Sequence, residues 1–511
     1  MKTKEKKKSK WKMIAGIMLV IQLLLSMATV GVVLWLNIVP TLYVILLGLI
    51  LLLLLIIEYC LFYFGKKKKG KKKTGCYVRR TLGVILFLAC AIVCVGGSYM
   101  LVKAGNTLDN IAGNVKTTDT VSAYVMKDDP AQTLMDAKDY VFAITEKYDY
   151  EHTQKAIEKI NETVGTQIHT QVYDNILDMV QALYEGSADA MLMNVAYVDV
   201  VEAQDGYETF SSRTRTLYDH EEENVVTEDS QTAEKSITTD PFVVYISGSD
   251  TRNLKLTTSR SDVNILAVVN PSTKQVLLIN TPRDYYVDTA ASPGAKDKLT
   301  HCGMYGIDCS MATLGNLYDE HVDYYVQINF NGFKTLVDAV GGITVESEKA
   351  FRTSEGGFYI NRGTNQLNGT VALSYVRERK SFADGDNSRG RHQMQAIEAL
   401  IKKISSGTTV LGNYSAIMDS MSGMFMTSMN SSDISALVKM QLSDLAAWNV
   451  KSYAVTGTGG SSTTYSMPTK RSYVMYPDEV QVKYAEQLVN KVVEGQILTD
   501  ADLEIPDNVV Q

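Results

Sequence analysis

The sequence predicts an α/β protein carried on a membrane anchor. It has three N-terminal transmembrane helices, a small α/β accessory domain and a larger α/β domain built on consecutive strands. Three observations predict this. Residues 13–36, 41–64 and 81–102 are apolar runs, each near the roughly 20 residues needed to cross a bilayer. Between 131 and 218, short apolar runs alternate with amphipathic ones, the pattern of a parallel α/β unit. Residues 242–284 hold three runs rich in Val, Ile, Leu and Tyr, which read as strands over 242–248, 263–270 and 275–281.

The 511 residues leave room for two or more domains with proper cores. The net charge of −7 conceals an asymmetry. Residues 1–103 hold 17 Lys and Arg against 2 acids, a balance of +15, and the remainder holds 33 against 55, or −22. Lysines crowd before the first apolar run and again over 66–73, with Arg79 and Arg80 following. The positive-inside rule puts both clusters in the cytosol and everything after Lys103 outside, in a three-span membrane protein. The first run is too long, and too soon followed by a second, for a cleaved signal peptide. Beside apolar spans, basic clusters read as partners of an anionic leaflet, not of nucleic acid.

Taken in order, 1–12 is a cytosolic basic tail. Residues 13–103 are the three spans with a basic cytosolic loop at 66–80, and 104–130 is a polar stalk with some helix. Within the accessory domain (104–218 with its stalk), 140–144 and 168–173 read as strands, 152–164 and 174–184 as helices, and 188–194 as a short apolar run. The acidic stretch 219–240 reads as a linker. The second domain spans 241–511.

In that domain, Pro271 and Lys274 bound a four-residue turn, so the flanking strands run antiparallel. The turn brings Arg260 and Asp262 beside Arg283 and Asp284, and an antiparallel first strand would add Asp250 and Arg252 to the same edge. Residues 322–345 read as strand, helix, Gly-Gly stop and strand, with Phe333, Leu336, Val337 and Val340 as core. Residues 371–379 read as a strand, placing Arg377 and Arg379 on one face. Arg389 and Gln393 lie four apart on the next helix, in line with Ile397, Leu400 and Ile401. Cys302 and Cys309 are the two cysteines outside the spans, and their spacing leaves a disulfide open. The six histidines are scattered, with no zinc-type arrangement.

Guanidinium groups match phosphate oxygens bidentately, and carboxylates with phosphate oxygens and waters suit Mg2+. Arg260, Arg283, Arg377, Arg379 and Arg389 at the ends of apolar elements therefore point to a metal-bound polyphosphate.

The segments 248–252 (GSDTR), 260–262 (RSD), 282–284 (PRD), 297–306 (DKLTHCGMYG), 367–379 (LNGTVALSYVRER) and 384–395 (DGDNSRGRHQMQ) stand in the order and spacing of the LytR–CpsA–Psr family. The chain resembles that family over about 241–407, and its three spans with an accessory domain look most like the capsule-associated, CpsA-like branch. The resemblance implies an α/β/α catalytic domain with a central mixed sheet and an apolar groove for an isoprenoid. It implies a Gram-positive cell-surface transferase that moves a glycopolymer, most simply a capsular polysaccharide, from a polyprenyl-pyrophosphate carrier onto peptidoglycan. It implies Mg2+ (Mn2+ as an alternative) at Asp250 and Asp262, and pyrophosphate held by Arg260, Arg283, Lys298, Arg377, Arg379, Arg389 and Gln393. Asp262 and the arginines Arg260, Arg283, Arg377 and Arg379 would be catalytic, with Asp262 or Asp284 assisting deprotonation of the acceptor. His301 stands where many relatives carry Asn and is given no role. Capsule polymerase or kinase machinery is an expected partner. Two other functions share the motifs: a polyprenyl-pyrophosphate hydrolase, and a sensor or regulator that binds lipid-linked glycan without turning it over.

Overall fold

Hydrophobic alternation along 242–280 builds the central sheet. In the computed structural model, which describes residues 2–64, 74–112, 115–226, 235–249, 259–406 and 424–506, the strands are Phe242–Ser249, Ser261–Asn270 and Gln275–Asn280. Each is antiparallel to the next, as the turn at Pro271 dictates. Tyr324–Asn329 joins one side parallel to Phe242–Ser249, and Asn449–Ala454 joins the other parallel to Gln275–Asn280. Phe425–Thr427 completes a mixed six-stranded sheet.

Side chains leave a strand on alternate faces, and the two faces have different tasks. Val243, Tyr245, Leu266, Val268, Leu277 and Ile279 are buried against the helices Ile307–Tyr318 and Glu479–Val493. Each such side chain contributes about 1.5–3 kcal/mol by leaving water. Ile246, Val263, Val326 and Ile328 instead face a cavity roofed by the helices Phe330–Ala339, Gly369–Arg377 and Asp386–Ser405. The result is an α/β/α sandwich, solid on one side of the sheet and hollow on the other.

The accessory module has a five-stranded sheet of its own, ordered 169–172, 141–144, 190–194, 115–126, 214–226. The first three strands are parallel, as the alternating pattern predicts, with the helix Tyr150–Val164 covering one face and Ile176–Glu185 the other. The last two strands are antiparallel, so the sheet is mixed and not wholly parallel. They correct two sequence expectations. The polar stretch expected as a stalk carries the strand Val115–Met126, because Val121, Ala123 and Val125 alternate inward. The acidic stretch expected as linker is strand as far as Val226, and residues 227–234 lie outside the described ones. Asp119 sits opposite Glu222 in that pairing. Lys155 from the covering helix bonds Glu222 at 2.5 Å, and His152 lies 3.8 Å from Asp119. These cations let acidic residues line a paired strand.

Lys10–Leu36, Thr41–Tyr63 and Tyr77–Thr107 are long and apolar enough to cross a membrane. They form one compact unit with residues 430–446, where Lys439 donates to Asn37 at 2.8 Å. The accessory module and the six-stranded sheet belong together to the second unit.

Candidate functional site

The cavity beneath the three helices measures about 730 Å3, within the range of pockets that bury most of a drug-sized ligand. Its walls are apolar: Ile246, Val263, Phe330, Phe333, Leu336, Leu373, Ile397 and Leu400 among others. Its mouth is charged, lined by Asp262, Arg283, Arg377, Arg379, Lys380, Arg389 and Gln393. One end suits a hydrocarbon and the other a polyanion.

Strand register places the first charges. Asp262 is the second residue of its strand and Arg283 follows the end of the next. The antiparallel pairing brings Arg283 Nη1 to 2.8 Å from Asp262 Oδ1. Arg283 Nε lies 3.5 Å from Asp284, and Lys298 Nζ lies 3.3 Å from the other oxygen of Asp284. Burial works against the charge on Asp262, but Arg283, Arg389 and Arg260 outweigh it and hold its carboxyl below the usual range. Burial also opposes the Arg283 charge, and Asp262 and Asp284 more than compensate.

The helix Asp386–Ser405 supplies the opposite lip. Arg389 is buried with its Nη2 at 2.8 Å from Asp386, and Gln393, one turn on, bonds the Val376 carbonyl at 3.4 Å. Desolvation lowers the proton affinity of Arg389, and Asp386 and Asp262 only partly counter it. Arg379 reaches the same Asp386 at 3.6 Å.

Arg377 and Arg379 both line the mouth, but not from a strand. Residues 369–377 are a helix, because Asn368 caps it by accepting from Val371 N at 3.0 Å and Ala372, Tyr375 and Val376 bury at helical spacing. The chain leaves it extended at Glu378, so Arg377 and Arg379 flank an inward carboxylate. Glu378 is buried and accepts from Ser354 Oγ at 2.8 Å and Ser381 N at 2.9 Å. Burial alone would raise its pKa, and those bonds bring it below the ordinary value. Arg377 pairs with Glu355, and its guanidinium lies 4.4 Å from the Phe330 ring.

Two predicted residues stand elsewhere, and a third is not described. Arg260 does not line the cavity; its Nη2 bonds Asp199 of the accessory module at 2.9 Å, and its Nε is buried without a hydrogen-bond partner. Lys298 is one step removed, behind Asp284. Asp250, with Arg252, lies outside the described residues. Conversely, sequence reasoning took Phe333 and Leu336 for plain core and passed over Glu378, although all three line the cavity. Helical spacing reads the same over a filled core and over a hollow one. His301 is buried, with its Nδ1 2.7 Å from Asp297 and 2.8 Å from Ser466 Oγ. That cluster anchors the segment bearing Lys298, whose backbone N bonds Asp297 at 2.7 Å. Cys302 and Cys309 are free thiols that share Thr289 Oγ1, at 3.5 and 3.8 Å.

Among the described residues, no three His, Cys, Asp or Glu side chains converge as a metal cage. Mg2+ rarely takes one. It keeps waters and uses one or two carboxylates with substrate phosphates. An ionised Asp262 at the mouth fits that donor set.

Residues 203–480 match the LytR_cpsA_psr family model. Over 223 residues, 43% of this chain and 71% of the relative, the sequence is 36% identical to the polyisoprenyl-teichoic acid–peptidoglycan teichoic acid transferase TagU of Enterococcus faecalis. It is 31% identical over 208 residues to the protein of that name from Bacillus anthracis, covering 40% of this chain and 67% of the relative. Among solved structures, B. subtilis TagV is similar with a TM-score of 0.43 at 25% identity, over 50% of this chain and 98% of that one.

Proposed function

The chain belongs to the LytR–CpsA–Psr family, and from that membership we propose that it is a membrane-anchored transferase moving a glycopolymer from a polyisoprenyl-pyrophosphate carrier onto peptidoglycan. The observation that carries the reading is a cleft that joins an apolar interior to an arginine-lined mouth. The carrier's hydrocarbon would enter the cavity, and its pyrophosphate would lie against Arg283, Arg377, Arg379, Arg389 and Gln393. The N-terminus would be cytosolic and the cleft extracellular, on the charge asymmetry around the spans. We take the polymer to be a capsular polysaccharide, because three spans and an accessory module resemble the capsule-associated branch. Capsule polymerase or kinase machinery would be the partner at the membrane.

An acceptor sugar hydroxyl attacks the phosphorus bearing the polymer. Its oxygen forms the new P–O bond as the bond to the carrier phosphate breaks, and that phosphate leaves with the electron pair. Arg283, Arg377, Arg379 and Arg389 meet the growing charge, and the loss of one such donor lowers kcat by about 100–1,000-fold. The hydroxyl proton passes to Asp284, whose contacts at 3.3 and 3.5 Å are looser than the 2.8 Å bond of Asp262. Asp262, with its carboxyl held ionised, makes the poorer base. With the substrate phosphates, Asp262 would hold Mg2+ or Mn2+, which when bound supplies charge neutralisation. Arg260 and Lys298 would act through Asp262 and Asp284.

The test uses the full chain in detergent with carrier-linked, radiolabelled polymer, Mg2+ and peptidoglycan, and counts label covalently held by the wall. Capsular and teichoic-acid donors run as separate arms. Wall-bound label lost in Asp262→Ala and Arg377→Ala is the expected result. Free phosphate without wall label would replace transferase by hydrolase, and donor binding without either product would replace it by a sensor.

A further inference from the structure

Beside the cleft, outside the apolar cavity, stands a glycine-rich hairpin. Its strands Gly457–Ser462 and Ser472–Pro477 pair antiparallel, with Gly459 opposite Met475 and Ser461 opposite Tyr473. The hairpin is fastened to the catalytic segment: Met475 N donates to the Asp284 carbonyl at 2.8 Å, and Tyr285 OH donates to the Thr456 carbonyl at 2.6 Å. Its position beside Asp284 is therefore set by one bond from the second strand and one to the residue before the first.

Tyr473 is unusual on this hairpin. It lies on the same face as Gly459, and a Cβ at Gly459 would come within 3.1 Å of the Tyr473 ring. The missing side chain leaves room for the edge of the ring, at Cε2 and the hydroxyl, against the neighbouring strand. Tyr473 is 52% exposed, and among the described residues its hydroxyl has no hydrogen-bond partner and its ring no aromatic neighbour. Tyr476, on the opposite face, is engaged: its ring meets Tyr286 edge-on at 5.8 Å. Partial burial first, then the Asp284 and Asp386 carboxylates, push the Tyr473 phenol above its ordinary value.

We infer that Tyr473, its ring edge seated at Gly459 on the hairpin beside Asp284, is the platform on which a pyranose ring of the acceptor glycan stacks. The inference rests on the transferase reading and deepens it by assigning the acceptor side. In an in-line displacement the entering and leaving oxygens stand on opposite sides of phosphorus. The leaving phosphate belongs to the lipid, so it departs toward the apolar cavity and the acceptor must enter from outside it. Arg283 lines the cavity, whereas Asp284 and Tyr473 do not. The C–H face of a β-linked N-acetylhexosamine is apolar and slightly positive, matching the electron-rich face of an aromatic ring. Asp284 would then meet a ring hydroxyl at the edge of the stacked sugar.

The test compares wild type with Tyr473→Ala, Tyr473→Phe and Tyr473→Trp, all as full chains in detergent. Transfer is followed while peptidoglycan fragments and carrier-linked donor are varied separately. Binding of a soluble N-acetylglucosamine tetramer is measured by saturation-transfer NMR without donor. In Tyr473→Ala, acceptor KM should rise about tenfold, as expected for one lost stacking contact, with donor KM unchanged and the tetramer signal lost. Phe and Trp should keep both within about threefold, since the ring and not the hydroxyl carries the contact. An unchanged acceptor KM in Tyr473→Ala, a rise in donor KM instead, or Phe behaving as Ala would each overturn the inference. The two readings fail separately. Wild type that transfers nothing but loses tetramer binding on Tyr473→Ala refutes only the transferase. Wild type that transfers, with Tyr473→Ala indistinguishable from it, refutes only the platform.

Discussion

At the scale of residues, the site is a balance of buried charges. Asp262 is the carboxylate between Arg283 and Arg389, and removing its charge would leave two guanidiniums facing each other with less to hold them. Breaking a buried pair is costly because the remaining charge stays desolvated, by about 3 kcal/mol or more. Asp262→Asn should therefore lower the thermal unfolding temperature, and Asp262→Asn combined with Arg283→Met should recover most of it. Transfer should stay down at least about 100-fold in both. Calorimetry beside the wall-label assay checks this; recovery of activity in the double variant would refute the charge role. The Asp262–Arg283 juxtaposition was legible, because a four-residue turn leaves one register for the strands around it. The partner of Arg260 was not. Asp199 lies 61 positions upstream in another module, and no local pattern reports a contact of that span. Glu378 was hidden for a different reason: between two arginines it reads as a surface charge, and only Ser354 and Ser381 reveal it as an anchor.

At the scale of elements, the helix Asp386–Ser405 links the site to pH. His392 on that helix is stacked on Tyr375 with ring centroids 4.2 Å apart, lies parallel to Phe351 at 5.9 Å, and has a buried Nδ1 without a partner. Burial first, then neighbouring Arg391, lowers its pKa from 6.5 to about 4. Between those values the unfolded chain binds a proton that the folded chain refuses. The contribution of His392 to stability is then present above pH 6.5, falls as pH drops from there toward 4, and levels off below. The full loss is on the order of 3 kcal/mol. His392→Phe, which keeps the stack, should flatten unfolding temperature against pH in that window relative to wild type, and parallel curves would refute the assignment. The neighbouring helix Gly369–Arg377 shows why elements are harder to read than contacts. Val and Tyr favour strands, yet Asn368 supplies a cap, and burial of Ala372, Tyr375 and Val376 decides for helix. The arginines reach the mouth either way, since extended Glu378 restores a two-residue spacing after the helix ends.

At the scale of the whole molecule, the accessory module and the catalytic sheet share a core. Met304 and Met467, from the catalytic side, are buried in the same cluster as Tyr148, Tyr197 and Phe210 of the module. Tyr465 packs edge-on against Tyr148 at 5.7 Å and lies 5.9 Å from Tyr305, and its carbonyl accepts from Tyr148 OH at 3.0 Å. The segment bearing Tyr465 and Met467 connects the two strands of the Tyr473 hairpin, so one loop ties the module to the rim of the cleft. Composition marked the module as a separate α/β unit, and its parallel strands bear that pattern out. It offered no sign of an aromatic contact spanning more than 300 positions. Shared apolar burial predicts joint unfolding, whereas the Asp199–Arg260 pair, with Asp199 half exposed, contributes within about 1 kcal/mol. Tyr465→Ala removes a half-buried ring from the junction, at less than the about 3 kcal/mol of deleting a fully buried aromatic. Hydrogen exchange should then accelerate together in the module strand Ala190–Asn194 and in the catalytic helix Leu299–Cys302. Asp199→Asn should leave both nearly unchanged. If Tyr465→Ala loosened only one side, the two sheets would be independent folding units joined by a chain. A joint response would mean that whatever binds the module is felt at Asp284 through the hairpin.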